Sequence, residues 1–224
     1  MPADHSATPG AARTGRPPRT SRAQILTAAR TLIDRDGWQT LSMRRLAAEL
    51  GTAPTTLYHH IRDKQDLLVQ LLNDSADRLE RPVLPTDPKQ RILAAATVMH
   101  DGLAAAPWMV EVLTADAVLG DSALWMVEAM IDGAIDCGLT PEDAVHLYRT
   151  IWYYTVGEIL VRANTIRHRP DPQPDYRQAV MGDTDRNSAW PRLAALAQWW
   201  PELTAQDTYA TGLRAIVNGM LDAN

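Results

Sequence analysis

Nowhere in this chain do apolar and polar residues alternate over six positions; apolar residues recur instead at steps of three and four from Ile25 to the last turns before the C-terminus. That spacing lines one face of a helix, whereas a strand needs a period of two. The core must therefore be built from packed helices, and the expected class is all-α, without sheet or internal repeat. Capping residues, glycines and prolines then set the helix lengths. Ser21 and Gln24 have the form of a capping box, and Ile25, Ala28, Ala29, Leu32 and Ile33 share a face until Gly37, which predicts a first helix over 22–36. Ser42 can cap a second, short helix through Leu50, with Leu46, Ala47 and Leu50 inward and Gly51 as a left-handed turn residue. A third helix is expected over 54–60. Asp63 caps a fourth that carries Leu67, Leu68, Leu71 and Leu79 and ends at Pro82.

Between Arg81 and Pro88 three prolines fall within eight residues, the strongest boundary signal in the chain. It divides an arm (1–18), a small domain with its connecting helix (19–81) and a larger helical body (82–224). In the body, helices are expected over 89–105, 108–119, 122–137, 141–166, 190–200 and 205–221, with Pro107, Pro141 and Pro191 near helix starts. The stretch 167–188 reads as a long loop. The arm, rich in Ala, Pro, Gly and Thr, reads as disordered without a partner.

Charge is distributed unevenly along this plan. The 224 residues carry a net charge of −5, yet Met1 to Lys64 hold ten Lys and Arg against five Asp and Glu. A basic head on an acidic body suits a protein that presents one end to a polyanion. No apolar run approaches the length of a membrane span and Met1 to Gly10 lack a signal-peptide core, so a cytoplasmic protein without membrane contact is expected. Cys137 stands alone, which excludes a disulfide framework and a multi-cysteine zinc site and leaves it core packing. Phosphate-cradling glycine loops, nucleophile elbows and metal-ligand spacings are missing, so neither enzyme activity nor a cofactor is expected.

The two short helices joined at Gly51, with Ala47 four residues earlier, have the form of a helix-turn-helix: a small residue where helices cross, glycine where the chain reverses. Leu57 would anchor the second of them. Thr55, Thr56, Tyr58, His59 and His60 then populate a short helix with little aliphatic burden, suited to a major groove, beside the basic residues Arg44, Arg45, Arg62 and Lys64. His59 and His60 point about a hundred degrees apart on a helix and lack a third partner, which argues against a metal.

From Ile25 to Leu68 the sequence resembles the tetracycline-repressor (TetR) family of bacterial regulators. The resemblance rests on Leu41-Ser42-Met43-Arg44-Arg45-Leu46-Ala47 and on the ungapped run from Gly51 through Thr55, Thr56, Leu57, Tyr58, His59 and His60 to Lys64. Ile61 resembles the branch of the tetracycline repressor itself, where a branched aliphatic replaces phenylalanine. The resemblance implies base contacts from Arg44, Pro54 and Thr55, and phosphate contacts from Thr56, Tyr58, His60 and Lys64. Such chemistry is sound on its own terms: arginine grips a guanine edge bidentately, a threonine methyl meets that of thymine, and Lys64 opens the fourth helix, where its charge adds to exposed amides. Gly15-Arg16-Pro17-Pro18-Arg19 is similar to arginine-proline hooks that enter narrow minor grooves, with a merely solvated tail as the alternative.

In the body, the helix from Pro141 is apolar on two faces: Val145, Trp152, Val156 and Ile159 on one, Leu147, Ile151, Tyr154 and Val161 on the other. It must be covered on several sides. The family resemblance implies a homodimer joined through a four-helix interface, in which Gly157, Gly212, Ile216 and Gly219 would lie and the glycines would allow close approach; local flexibility is the other use of such glycines. Seven Trp and six Tyr with no Phe give the body aromatic rings with polar handles. Met99, His100, Trp108, Trp125, Met126, Met130, Tyr148, Trp152 and Tyr153 are candidate wall residues for a flat, partly polar small molecule, with plain core packing as the alternative for each. Glu158 could meet a cation, although Arg162 four residues on offers it an ordinary surface pair. The expected function is a homodimeric repressor that leaves a double-stranded DNA operator when a small effector binds. A ligand-independent regulator whose body only dimerises is the other reading.

Overall fold

The computed structural model describes residues 20–115, 118–167 and 189–223. Among them there is no strand, and the chain divides into two compact units, one ending at Leu67 and the other beginning at Leu68. The predicted arm, with Arg16, and most of the predicted 167–188 loop lie outside the described residues.

In the first unit, α1 (Arg22–Asp36) begins with the predicted capping box: Gln24 N–H donates to Ser21 Oγ at 3.2 Å, and Ser21 N–H to Gln24 Oε1 at 2.9 Å. Gly37, at φ 81°, ends it, and a 3-10 turn over Trp38–Thr40 follows. α2 (Met43–Glu49) is capped by Ser42, and α3 (Pro54–Leu57) starts on Pro54. Ile25, Ala29, Leu32, Leu46, Leu57, Ile61 and Leu67 close the core. The third helix is shorter than expected. Regular α-structure stops at Leu57, and residues 58–60 continue as a turn held by the N–H groups of His60 and Ile61, both on the Leu57 carbonyl at 2.9 Å.

α4 (Lys64–Asp77) starts before the division between the units and ends before Leu79 and the expected stop at Pro82. The second unit then contains α5 (Pro88–Ala104), α6 (Trp108–Ala115), α7 (Leu124–Asp136), α8 (Pro141–Arg167), α9 (Pro191–Leu196), α10 (Trp200–Ala205) and α11 (Tyr209–Asp222). Its core lies where α5, α7, α8 and α11 meet, around Ile92, Ala96, Met130, Leu147, Ile151 and Val217. Close packing is imposed by Gly133 on α7, where a Cβ would lie 2.8 Å from both Ile92 Cγ1 and the Pro88 carbonyl oxygen on α5.

Three expectations about the body require correction. The helix expected over 190–200 stops at Leu196, residues 197–199 form a turn, and a new helix starts at Trp200 with Pro201 in its first turn, where no N–H is needed. The last helix starts at Tyr209 rather than near Ala205. On α8 the buried stripe is Leu147, Ile151, Thr155 and Ile159, at four-residue steps, while Val145, Tyr153 and Val161 on the opposite side are exposed. Among the described residues that helix is therefore covered on one side only.

Candidate DNA-reading surface and effector cavity

The turn between α2 and α3 follows from its residues. Leu46 and Ala47 are buried, the Thr52 N–H returns to the Ala47 carbonyl at 3.0 Å, and Gly51 takes φ 61°, a left-handed value that strains any side chain. With Leu57 fully buried, α3 and the turn after it present Pro54, Thr55, Tyr58, His59 and His60 at the surface, and Thr56 is half-buried. Arg44 is exposed on α2. Arg45, read as part of the basic flank, is tied to Asp36 at 2.6 Å, and Asp36 also holds Arg35, which reaches Glu49. At the start of α4 the side chain of Asp63 accepts from the Asp66 N–H at 2.8 Å, and that of Asp66 from the Arg62 N–H at 2.7 Å. One first-turn amide of α4, that of Asp66, is thus occupied by a carboxylate. The ammonium of Lys64, 5.3 Å from the Trp38 ring centroid, is the group with charge to offer there.

In the second unit a cavity of about 260 Å³ opens among five helices. From α8 it receives Tyr148 and Trp152, from α7 Met126 and Val127, and from α5 Met99, Gly102 and Leu103. Met109 and Leu113 of α6 and the segment Val118 to Gly120 close another side. The remaining wall belongs to the connecting helix and the turn after it: Leu72, Ser75, Ala76 and Leu79. These residues were not among the candidates. Their spacing, with apolar or small side chains at i, i+3, i+4 and i+7, was a signal that α4 presents a continuous face to a neighbour.

Of the nine candidate wall residues, the cavity gathers Met99, Met126, Tyr148 and Trp152. Met130 is buried in the core, Trp108 stands at the start of α6, and neither reaches the cavity. The Trp125 ring lies under Arg81, 5.5 Å from the guanidinium carbon, and its buried Nε1 finds no acceptor among the described residues. Tyr153 is exposed beside Arg149, over an open groove that also takes in Glu158 and Arg162.

His100 belongs to a separate polar cluster. Its Nδ1 lies 2.9 Å from Asp101 Oδ1 and its Nε2 3.1 Å from Glu158 Oε2, and its ring stacks on Tyr209 with centroids 3.7 Å apart. Glu158 is held by Arg162 at 2.6 Å, the surface pair weighed from the sequence. The Tyr209 and Thr155 hydroxyls are 2.8 Å apart, and burial pushes the Tyr209 phenol up to about 12. Among the glycines, Gly212 faces the Tyr154 ring of its own chain, which leaves no room for a Cβ, so its close approach is made inside one subunit. Gly157 and Gly219 face open space. Among the described residues, no group of three His, Cys, Asp or Glu could hold a metal, and no helix is long and apolar enough to cross a membrane.

Residues 25–71 match the family model described as bacterial regulatory proteins, tetR family, and residues 82–223 match the tetracyclin repressor-like C-terminal domain. The HTH-type transcriptional repressor DrrR1 of Streptomyces coeruleorubidus is 33% identical over 211 residues, 88% of this chain and 76% of that protein. The fold is similar to that of the Streptomyces coelicolor TetR-family protein ActR in complex with actinorhodin, with TM-score 0.73 at 22% identity over 91% of this chain and 98% of that one. It is also similar to BioQ bound to its double-stranded DNA operator, with TM-score 0.61 at 21% identity over 91% and 99% of the two chains.

Proposed function

Because this chain belongs to the TetR family of bacterial transcriptional regulators, we propose that it is a cytoplasmic, homodimeric repressor that leaves a near-palindromic operator when a small molecule fills the cavity of its second unit. The observation that carries this reading is the path of α4. The helix starts with Lys64, next to the DNA-reading surface, and its later residues Leu72, Ser75 and Ala76 are cavity wall. A dimer grips two half-sites only while its recognition helices keep the groove spacing. An effector in contact with α4 releases DNA if it binds the non-gripping arrangement more tightly, since equal affinity for both shifts nothing. The exposed Val145, Tyr153, Gly157 and Val161 on α8, with Gly219 open on α11, support a second copy as the cover of that side.

On the DNA side, Arg44, Pro54 and Thr55 read bases, while Thr56, Tyr58, His59, His60 and Lys64 hold the backbone. Selection from a random duplex pool should return a near-palindrome with half-sites about one helical turn apart or slightly more. On that sequence Lys64→Ala should weaken binding to cognate and random DNA alike and lower the salt slope by about one. Thr55→Ala should cost about 1–3 kcal/mol on cognate DNA and relax selectivity at one position. Equal losses on cognate and random duplexes for both variants would overturn the assignment of α3 as the reading helix.

A further inference from the structure

Resting on that reading of the cavity as the effector site, we propose that the effector is an uncharged, predominantly apolar ring compound of about ten non-hydrogen atoms, two fused rings in size. Size comes from volume. An apolar cavity of about 150 Å³ admits benzene, so each ring atom takes about 25 Å³, and about 260 Å³ accommodates about ten. Charge comes from the wall. Among the described residues the lining is aliphatic, thioether or aromatic apart from three neutral groups, the hydroxyls of Ser75 and Tyr148 and the indole N–H of Trp152. An ionised group brought there exchanges its hydration for a surface without a counter-charge, which penalises binding heavily.

Tyr148 supplies the one-atom polar handle. Burial holds its phenol above the ordinary tyrosine range, with Arg149 partly opposing, so at neutral pH the hydroxyl keeps its proton and can donate to a ligand oxygen. The charged residues of this region are used elsewhere. Arg149 is engaged with Tyr153, Glu158 with His100 and Arg162, and Asp121 with the Asn73 side chain at 2.7 Å. A wall of Met99, Met109 and Met126 favours flat rings, because thioethers adapt to aromatic faces and edges.

The test uses the full-length chain and four probes that share the naphthalene ring system: naphthalene, 2-naphthol, 2-naphthoate and 2-naphthylmethylammonium, titrated by tryptophan emission and calorimetry at pH 7. Naphthalene and 2-naphthol should bind, and both ions at least about 100-fold more weakly. Tyr148→Phe should weaken 2-naphthol but not naphthalene. Met126→Trp and, as a gentler filling, Ala123→Leu, at the cavity wall just before α7, should remove binding of the neutral probes, with thermal unfolding of each variant establishing that it is folded. Binding of either ion as tightly as the neutral probes, no binding of the neutral probes, or neutral binding that survives in both folded variants overturns the proposal. Operator affinity measured in the same samples separates it from the reading on which it rests. Neutral probes that bind without loosening DNA leave the ligand class standing and remove the effector role; an ion that binds and loosens DNA does the reverse.

Discussion

Gly133→Ala should destabilise the second unit by about 1–2 kcal/mol, although alanine is the better helix former by about 1 kcal/mol. The added methyl would lie 2.8 Å from both Ile92 Cγ1 and the Pro88 carbonyl oxygen. Ordinary contact begins near 3.4 Å, so α7 and α5 must separate by about half an ångström or more, and a backbone oxygen at the first residue of α5 cannot rotate away as a side chain can. Overpacking of this kind costs about 1–3 kcal/mol; subtracting the propensity gain from the upper part of that range leaves the stated net. Urea unfolding followed by circular dichroism should register it as a midpoint lowered by about 0.5–1 M at a slope of about 2 kcal/mol per molar. In an Ile92→Ala background the same substitution should cost less but not nothing, because the carbonyl contact remains. A Gly133→Ala variant as stable as the parent, or more so, would mean that the helices part freely and that the glycine is not required by packing.

Tyr209 should make stability fall at high pH. Its folded phenol is raised from 10 to about 12 by burial, so its contribution is complete below pH 10 and is lost as pH climbs from about 10 to 12, about 3 kcal/mol in all. Denaturation at pH 9 and pH 11.5 should show about 2 kcal/mol of that loss in the parent and a smaller one in Tyr209→Phe. Gly212→Ala should destabilise each subunit by about 1–2 kcal/mol, measured as thermal unfolding, because the Tyr154 ring must yield and leave its stack on Tyr209. Gly219→Leu, into open space, should spare the folded subunit and weaken self-association; full dimerisation in sedimentation would place the interface elsewhere.

Helix ends written in local chemistry were legible from the sequence. The Ser21 and Gln24 box, the Ser42 cap and the Gly51 turn depend on residues within a few positions of one another, and each forms as read. Lengths that depend on how far tertiary packing supports the backbone were not: α3 stops at Leu57, and the helix expected over 190–200 stops at Leu196. The cavity was half legible. Aromatic identity pointed to Tyr148 and Trp152 but could not give direction, and direction decides whether a ring faces a void, a core or solvent. Trp125 and Tyr153 carry the same chemistry and face elsewhere. One polar partner of His100, Glu158, lies 58 residues on, and its ring partner Tyr209 further still, distances over which no sequence period operates.

All the described residues around the cavity follow Leu68, and every described residue assigned to DNA precedes it. On the proposed reading, substitutions that retune which molecule is sensed therefore need not alter which operator is read, and the reverse holds too. If the cavity is the effector site as proposed, a lineage carrying this chain can change the stimulus while retaining its target genes, or acquire new targets while retaining the stimulus. A graft between relatives has a natural seam within α4, where one helix serves as the handle of both halves.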